Sequence, residues 1–268
     1  MKKRVEDKKA ILLVAFGTSI PEAAKALDRI EARTREKYPG IDVRWAYTSK
    51  TIRSRIGARG KSVDSPATAL SRLMDEGFSH VAVLSLHVVP GQEFHSFFMD
   101  TRRFAGMSEG FEKVHIARPL LGDYEDMSRA ADILSNKYAS LQKPGEGVIF
   151  VGHGNRRHPS DAIYVAMDSL LRDRGANLFV GTVQGHPAPD ELLPKLRAAN
   201  IRKTVLVPLM TVAGDHARKD MAGDDPGSWK SVLERQGIQC EAVFTGLAEC
   251  GEITEIWMDH LDEVFSRL

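Results

Sequence analysis

The chain has 268 residues, 43% of them hydrophobic and 27% charged, a composition that excludes disorder, collagen-like repeats and low-complexity scaffolds. Lys+Arg 37 against Asp+Glu 36 gives a formal net charge of +1, so no overall field is available to hold nucleic acid or an anionic membrane surface. The only cysteines, Cys240 and Cys250, form no CxxC pair, which removes a disulfide framework and a sulfur-ligated zinc or iron-sulfur site.

A polar lead, Lys2 to Lys9, precedes the first apolar run, Ile11 to Phe16. No run approaches the roughly 18 apolar residues of a membrane helix, so membrane insertion is not expected. The chain as written reads as cytoplasmic, or as periplasmic if a signal peptide was removed ahead of the lead. Further apolar runs follow at Val43 to Tyr47, Val81 to Leu86, Val114 to Ala117, Val148 to Val151, Leu178 to Val183, Val205 to Leu209 and Ala242 to Phe244. Unbroken apolarity of this kind fits parallel strands buried on both faces.

Helical patterns fill the intervals. Thr18 or Ser19 is expected to cap a helix with Pro21 and Glu22 in its first turn, an apolar stripe of Ala23, Ala24, Leu27 and Ile30, and Pro39-Gly40 after its end. The beat continues to a last helix near Glu252 to Leu268. An α/β fold of two similar doubly wound lobes follows, each with a mainly four-stranded parallel sheet flanked by helices and with the active site in the cleft between them. The polar stretch Ser140 to Gly147 is the best linker, giving lobes 1–142 and 143–268, the second carrying the metal-binding histidines.

An internal repeat supports the two lobes. Ile11 to Gly17 lies on Val148 to Gly154 at an offset of 137 (17 to 154), pairing Phe16 with His153. Val81 to Glu93 lies on Thr204 to His216 at an offset of 123 (93 to 216), pairing Glu93 with His216. All these pairs fall on loops after strands.

Several motifs fail. Gly57-Ala-Arg-Gly60-Lys61-Ser62 resembles a phosphate loop, but Arg55 stands where its first glycine is required, and Gly152-His-Gly154-Asn-Arg-Arg157 lacks the third glycine of a dinucleotide fingerprint. Neither HExxH nor GxSxG occurs. Of nine histidines, His80, His115 and His260 read as surface or core residues. His153, flanked by glycines at a strand's end, and His216, after Ala213-Gly214-Asp215, sit where a ligand can approach. Two neutral imidazoles meeting across an opening between the lobes would bind cobalt, nickel, zinc or iron(II) and could also accept protons.

The ordered motifs Leu13-Val-Ala-Phe-Gly-Thr-Ser19, Ala46-Tyr-Thr-Ser49, Ser85-Leu-His-Val-Val-Pro-Gly-Gln-Glu-Phe94, Gly152-His-Gly154, Pro208-Leu-Met-Thr-Val-Ala-Gly-Asp-His-Ala217, Asp220-Met-Ala-Gly-Asp-Asp225 and Ser228-Trp229 run almost end to end. In these the chain resembles the class II chelatases, most closely the CbiK-type anaerobic sirohydrochlorin cobaltochelatases. The resemblance implies insertion of Co²⁺, with Fe²⁺ also admitted, into sirohydrochlorin without ATP, on the way to cobalamin or sirohaem. It implies that His153 and His216 hold the metal. The family's intervening glutamate is matched here by Gln184 in Val183-Gln184-Gly185, a weak ligand without negative charge, so Glu93 is the candidate source of charge.

Insertion requires two pyrrole N–H protons to leave as the dication enters, hence ligands and a base in one place. His153, His216 and Glu93 are the catalytic candidates. The substrate's eight carboxylates call for cations or helix N-termini, for which Thr18, Ser19, Arg53, Arg55, Arg156 and Arg157 are candidates, a solvated charged face being as good an account of the arginines. His95, where the family is commonly acidic, reads as a surface histidine or, beside Phe94, Phe97, Phe98 and Met99, as a haem-iron ligand at a subunit interface, which would make the chain a homo-oligomer. The competing functions are a tetrapyrrole, haem or metal carrier with little turnover, and a phosphohistidine enzyme, which would need arginine where Gly152 stands.

Overall fold

The computed structural model describes residues 7–107, 110–175 and 177–268; the beginning of the charged lead, residues 2–6, lies outside them. Packing divides the chain into two units, Met1–Leu120 with Thr254–Leu268, and Leu121–Ile253.

The first unit holds strands β1 (Lys9–Ala15), β2 (Asp42–Tyr47), β3 (His80–Ser85) and β4 (Lys113–Ile116), with helices α1 (Pro21–Lys37), α2 (Lys50–Gly57), α3 (Pro66–Asp75) and α4 (Gln92–Ala105). Its sheet is parallel in the order β2-β1-β3-β4. Ala10 to Val14 and Val81 to Leu84 are fully buried, which is why these strands read as unbroken apolar runs. α1 buries Ala23, Ala26, Leu27 and Ile30 on one stripe. Its N-cap is Ile20, without a side-chain cap, rather than Thr18 or Ser19: the Thr18 hydroxyl accepts from the Ile20 N–H at 3.1 Å, closing a turn two residues too early to cap the helix.

The second unit holds α5 (Tyr124–Lys137), β5 (Glu146–Gly152), α6 (Asp161–Arg174), β6 (Leu178–Thr182), α7 (Pro189–Ala198), β7 (Lys203–Pro208), α8 (Trp229–Glu234) and β8 (Gln239–Ala242). Its sheet, again parallel, has the order β6-β5-β7-β8. β8 begins three residues before the run expected at Ala242 to Phe244, because as an edge strand it alternates exposed Gln239 and Glu241 with half-buried Cys240 and Ala242 and so lacks continuous apolarity.

The C-terminal helix α9 (Gly251–Phe265) belongs mostly with the first unit. Glu255 pairs with Arg33, Asp262 with Lys37 and Tyr38, and Glu263 with Arg118, while the Tyr38 and Phe265 rings meet at 4.4 Å. In return α5 belongs with the second unit, where Arg174 donates to Asp132 and, at 2.7 Å, to the Ser128 hydroxyl. The division therefore differs from a single break at 142/143. The stretch expected as the linker lies inside the second unit, where Gly145 and Glu146 already lead into β5. Among the described residues no helix is long and apolar enough to cross a membrane.

Candidate active site

β5 lies between β6 and β7, so the loops leaving the carboxyl ends of these three strands are neighbours at one sheet edge. The first carries His153, the second Gln184 and the third His216. The His153 and His216 rings pack edge to face with centroids 4.5 Å apart. Both histidines belong to the second unit, so they meet because β5 and β7 are adjacent, not by reaching from two lobes.

Each imidazole is oriented through Nδ1. His153 Nδ1 lies 2.8 Å from the Gly154 carbonyl, a contact it makes as donor, which puts the lone pair on Nε2. His216 Nδ1 lies 2.5 Å from Asp220 Oδ2, four residues on, across a π-type turn at Ala217–Met221. A carboxylate behind an imidazole fixes ring orientation and raises its basicity as a ligand.

The floor of the site explains the glycines. A Cβ on Gly152 would lie 2.3 Å from the Tyr164 ring, and one on Gly154, whose φ is +73°, would meet Gly185 N and Thr182 Cβ at 2.7 Å. Burial pushes the Tyr164 hydroxyl up to about 12, against backbone hydrogen bonds from Gly154 and His153. The buried Asp161 carboxylate ties two of the loops, accepting from Asn155 N–H at 2.8 Å and from His186 N–H at 2.9 Å. Buried Trp229 packs on Gly181 and donates to the Thr182 carbonyl at 2.9 Å, and Ser228 caps its helix.

Gln184 is exposed; its N–H donates to the His153 carbonyl at 2.8 Å and its carbonyl accepts from Arg156 N–H at 3.2 Å. Arg156 and Arg157 are exposed on the post-β5 loop. The remaining candidates lie in the first unit. Glu93 is exposed in the first turn of α4. Arg55 is exposed on α2, whereas Arg53 donates to the Tyr47 and Thr48 carbonyls at the end of β2, so its guanidinium is engaged by the backbone. Thr18 is buried, and the Ser19 carbonyl accepts from Arg59 at 2.6 Å.

His95 is exposed on α4, with Nδ1 3.0 Å from the Gly91 carbonyl. Of the aromatics beside it in sequence, Phe94 and Phe97 belong to the core of the first unit, and the Phe94 ring meets the His95 ring edge to face with centroids 5.6 Å apart.

Sequence reasoning assigned no role to Asp220, Asp161 or Tyr164. Asp220 had a signal, its spacing of four from His216 on a turn of helix. Asp161 and Tyr164 had none, since their contacts with the post-strand loops depend on how α6 packs.

A family model described as cobalt chelatase (CbiK) matches residues 9–266. The sirohydrochlorin cobaltochelatase CbiKC of Nitratidesulfovibrio vulgaris is 40% identical over 261 residues, covering 97% of this chain and 92% of that protein. The sirohydrochlorin cobaltochelatase of Salmonella typhimurium is 32% identical, covering 97% of both. Among solved structures, SirB from Bacillus subtilis with Fe³⁺ superposes with a TM-score of 0.66 at 13% identity, over 96% of this chain and 95% of that one. CbiX, described as the terminal enzyme for biosynthesis of siroheme in denitrifying bacteria, gives 0.58 at 17%, over 95% and 98%; at these identities the likeness concerns the fold. With the family's motifs matched along nearly its whole length, the chain belongs to the CbiK cobalt chelatase family.

Proposed function

We propose that this chain is a sirohydrochlorin cobaltochelatase, inserting Co²⁺ into sirohydrochlorin without ATP, and that His153 and His216 hold the incoming cation. The observation that carries the assignment is the contact of the two rings at 4.5 Å, each oriented through Nδ1 by a separate acceptor. Borderline dications such as Co²⁺ and Fe²⁺ suit neutral imidazole nitrogen.

The same pair balances the reaction. As the dication passes to the macrocycle, two pyrrole nitrogens each lose a proton, and two imidazole lone pairs fall vacant. Each accepts one proton, so the site holds two positive charges before the transfer and two after it. Asp220 stabilises the imidazolium that forms at His216, as a carboxylate behind a histidine does in general acid-base sites. Gln184 adds no fixed charge on the post-β6 loop, so ligation is weaker than a third anionic ligand would make it and release to the macrocycle is easier. Arg156 and Arg157, exposed on the loop that carries His153, are the second unit's candidates for the substrate's carboxylates.

The test mixes metal-free protein with sirohydrochlorin and Co²⁺ or Fe²⁺ and follows the absorption change for the parent, His153→Ala and His216→Ala. Each variant is expected to lose about 100-fold or more in rate, the scale of a lost general base; equal rates in all three would end the assignment. Product that stops at one equivalent per chain would identify a carrier instead.

A further inference from the structure

The opposite edge of the first sheet carries a second convergence of ligand atoms. At the amino ends of β1, β3 and β4, one ligand atom from each of Asp7, His80 and Glu112 lies within 4.8 Å of the other two. His80 is only 4% exposed although it opens its strand, while both carboxylates are exposed. The three segments are laced by backbone hydrogen bonds: Ser79 and His80 N–H donate to the Lys8 carbonyl at 3.0 and 3.2 Å, and Glu112 and Lys113 N–H to the Ser79 carbonyl at 2.9 and 3.2 Å. Ser79 Oγ lies 2.8 Å from His80 Nδ1, a contact that fixes the orientation of the ring. No hydrogen bond or ion pair among the described residues joins the three side chains.

The corresponding strand start of the second sheet is built differently. At the repeat offset of 123, His80 corresponds to Lys203, the first residue of β7, whose ammonium pairs with Glu241 at 2.8 Å and is further stabilised by Glu146. Neither carboxylate is in register with Asp7 or Glu112: Glu146 stands beside Lys203 as Lys9 stands beside His80, and Glu241 aligns with His115. In the first sheet the neighbouring lysines are engaged elsewhere: Lys8 with the Glu76 carbonyl, Lys9 over the Phe265 ring, and Lys113 with the Arg267 and Leu268 carbonyls.

We propose that Asp7, His80 and Glu112 bind a borderline divalent cation such as Zn²⁺, Ni²⁺ or Co²⁺, with water completing its coordination. One nitrogen and two carboxylate oxygens match the donor preference of these ions. Ligands on one such cation at about 2.1 Å stand roughly 3.0 to 4.2 Å apart, a closure that the exposed Asp7 and Glu112 side chains can make by rotamer change around the buried imidazole.

The experiment titrates Zn²⁺ into metal-free protein by calorimetry. In a His153→Ala/His216→Ala background, one equivalent is expected to bind, and Asp7→Asn and Glu112→Gln are each expected to weaken it tenfold or more. Both positions are exposed, so these variants should fold whether or not His80→Gln does. A His153→Ala/His216→Ala protein that binds no Zn²⁺, or Asp7→Asn and Glu112→Gln proteins that bind it as tightly as their parent, would overturn the proposal. Neither result bears on metal insertion, which is read from the macrocycle's spectrum.

Discussion

The two units build one sheet twice and place different chemistry at its edges. β1 and β5 correspond over their whole lengths at the offset of 137, and β3 and β7 at 123; the strand orders β2-β1-β3-β4 and β6-β5-β7-β8 are the same. Yet after the central strand the first unit presents Phe16, 40% exposed, where the second presents His153. After the next strand it presents Glu93 where the second presents His216. The scaffold determines that residues from adjacent post-strand loops are neighbours; residue identity decides whether those neighbours are ligands. A buried sheet tolerates this divergence because loop residues at its carboxyl edge contribute little to its core.

The largest effect expected from breaking one unit alone is at Trp229, which is 1% exposed. Trp229→Ala should cost about 3–5 kcal/mol by leaving a cavity over Gly181. The other two tryptophans, Trp45 and Trp257, report on the first unit. If the units unfold separately, their fluorescence keeps the parent's denaturant midpoint while far-ultraviolet dichroism shows an earlier transition; coincident curves would mean one cooperative body.

Acid should strain the first unit instead. His87 is buried, with Nδ1 3.0 Å from Ser85 Oγ, its ring stacked on Phe97 and Nε2 without a hydrogen bond among the described residues. Burial pushes its pKa down to about 4. The native state thus resists the proton that the unfolded chain takes up near 6.5, so the stability due to neutral His87 is complete above that pH and lost as pH falls from 6.5 to 4. The loss is about 3 kcal/mol, and denaturant titrations across that range should show this part of the pH dependence abolished in His87→Phe.

At the carboxyl edge, if His216 holds the metal as proposed, Asp220→Asn should lower cobalt insertion by about 10- to 100-fold, the usual cost of losing a partner behind a ligand histidine, with no change in the first unit's unfolding. Insertion at the parent's rate would remove Asp220 from the mechanism. The smallest effect belongs to Lys203→Met, which breaks an exposed ion pair with Glu241; the thermal midpoint should stay essentially where it is, because solvent screens such pairs.

Much of this was legible before folding. Among the described residues, seven of the eight strands lie where continuous apolar runs put them, the exception being the alternating edge strand β8. His153 and His216 stood out because glycines and strand ends mark loops where a ligand can approach. His80 did not: an isolated histidine at a strand start looks like any core histidine, and Asp7 and Glu112 are far from it in sequence. Around His95, Phe94 and Phe97 are core residues, and folding keeps the Phe94 ring against the imidazole.

The sequence by itself determined the element types and the repeat and marked two histidines on post-strand loops, because apolar periodicity and backbone permissiveness are local properties of the chain. Tertiary structure alone decided that the two rings touch, that α9 packs with the first unit and α5 with the second, and that Tyr164 and Asp161 support the post-strand loops. Those facts depend on strand order and helix packing, which arise from contacts between residues distant in the chain and leave no mark on any single stretch of it.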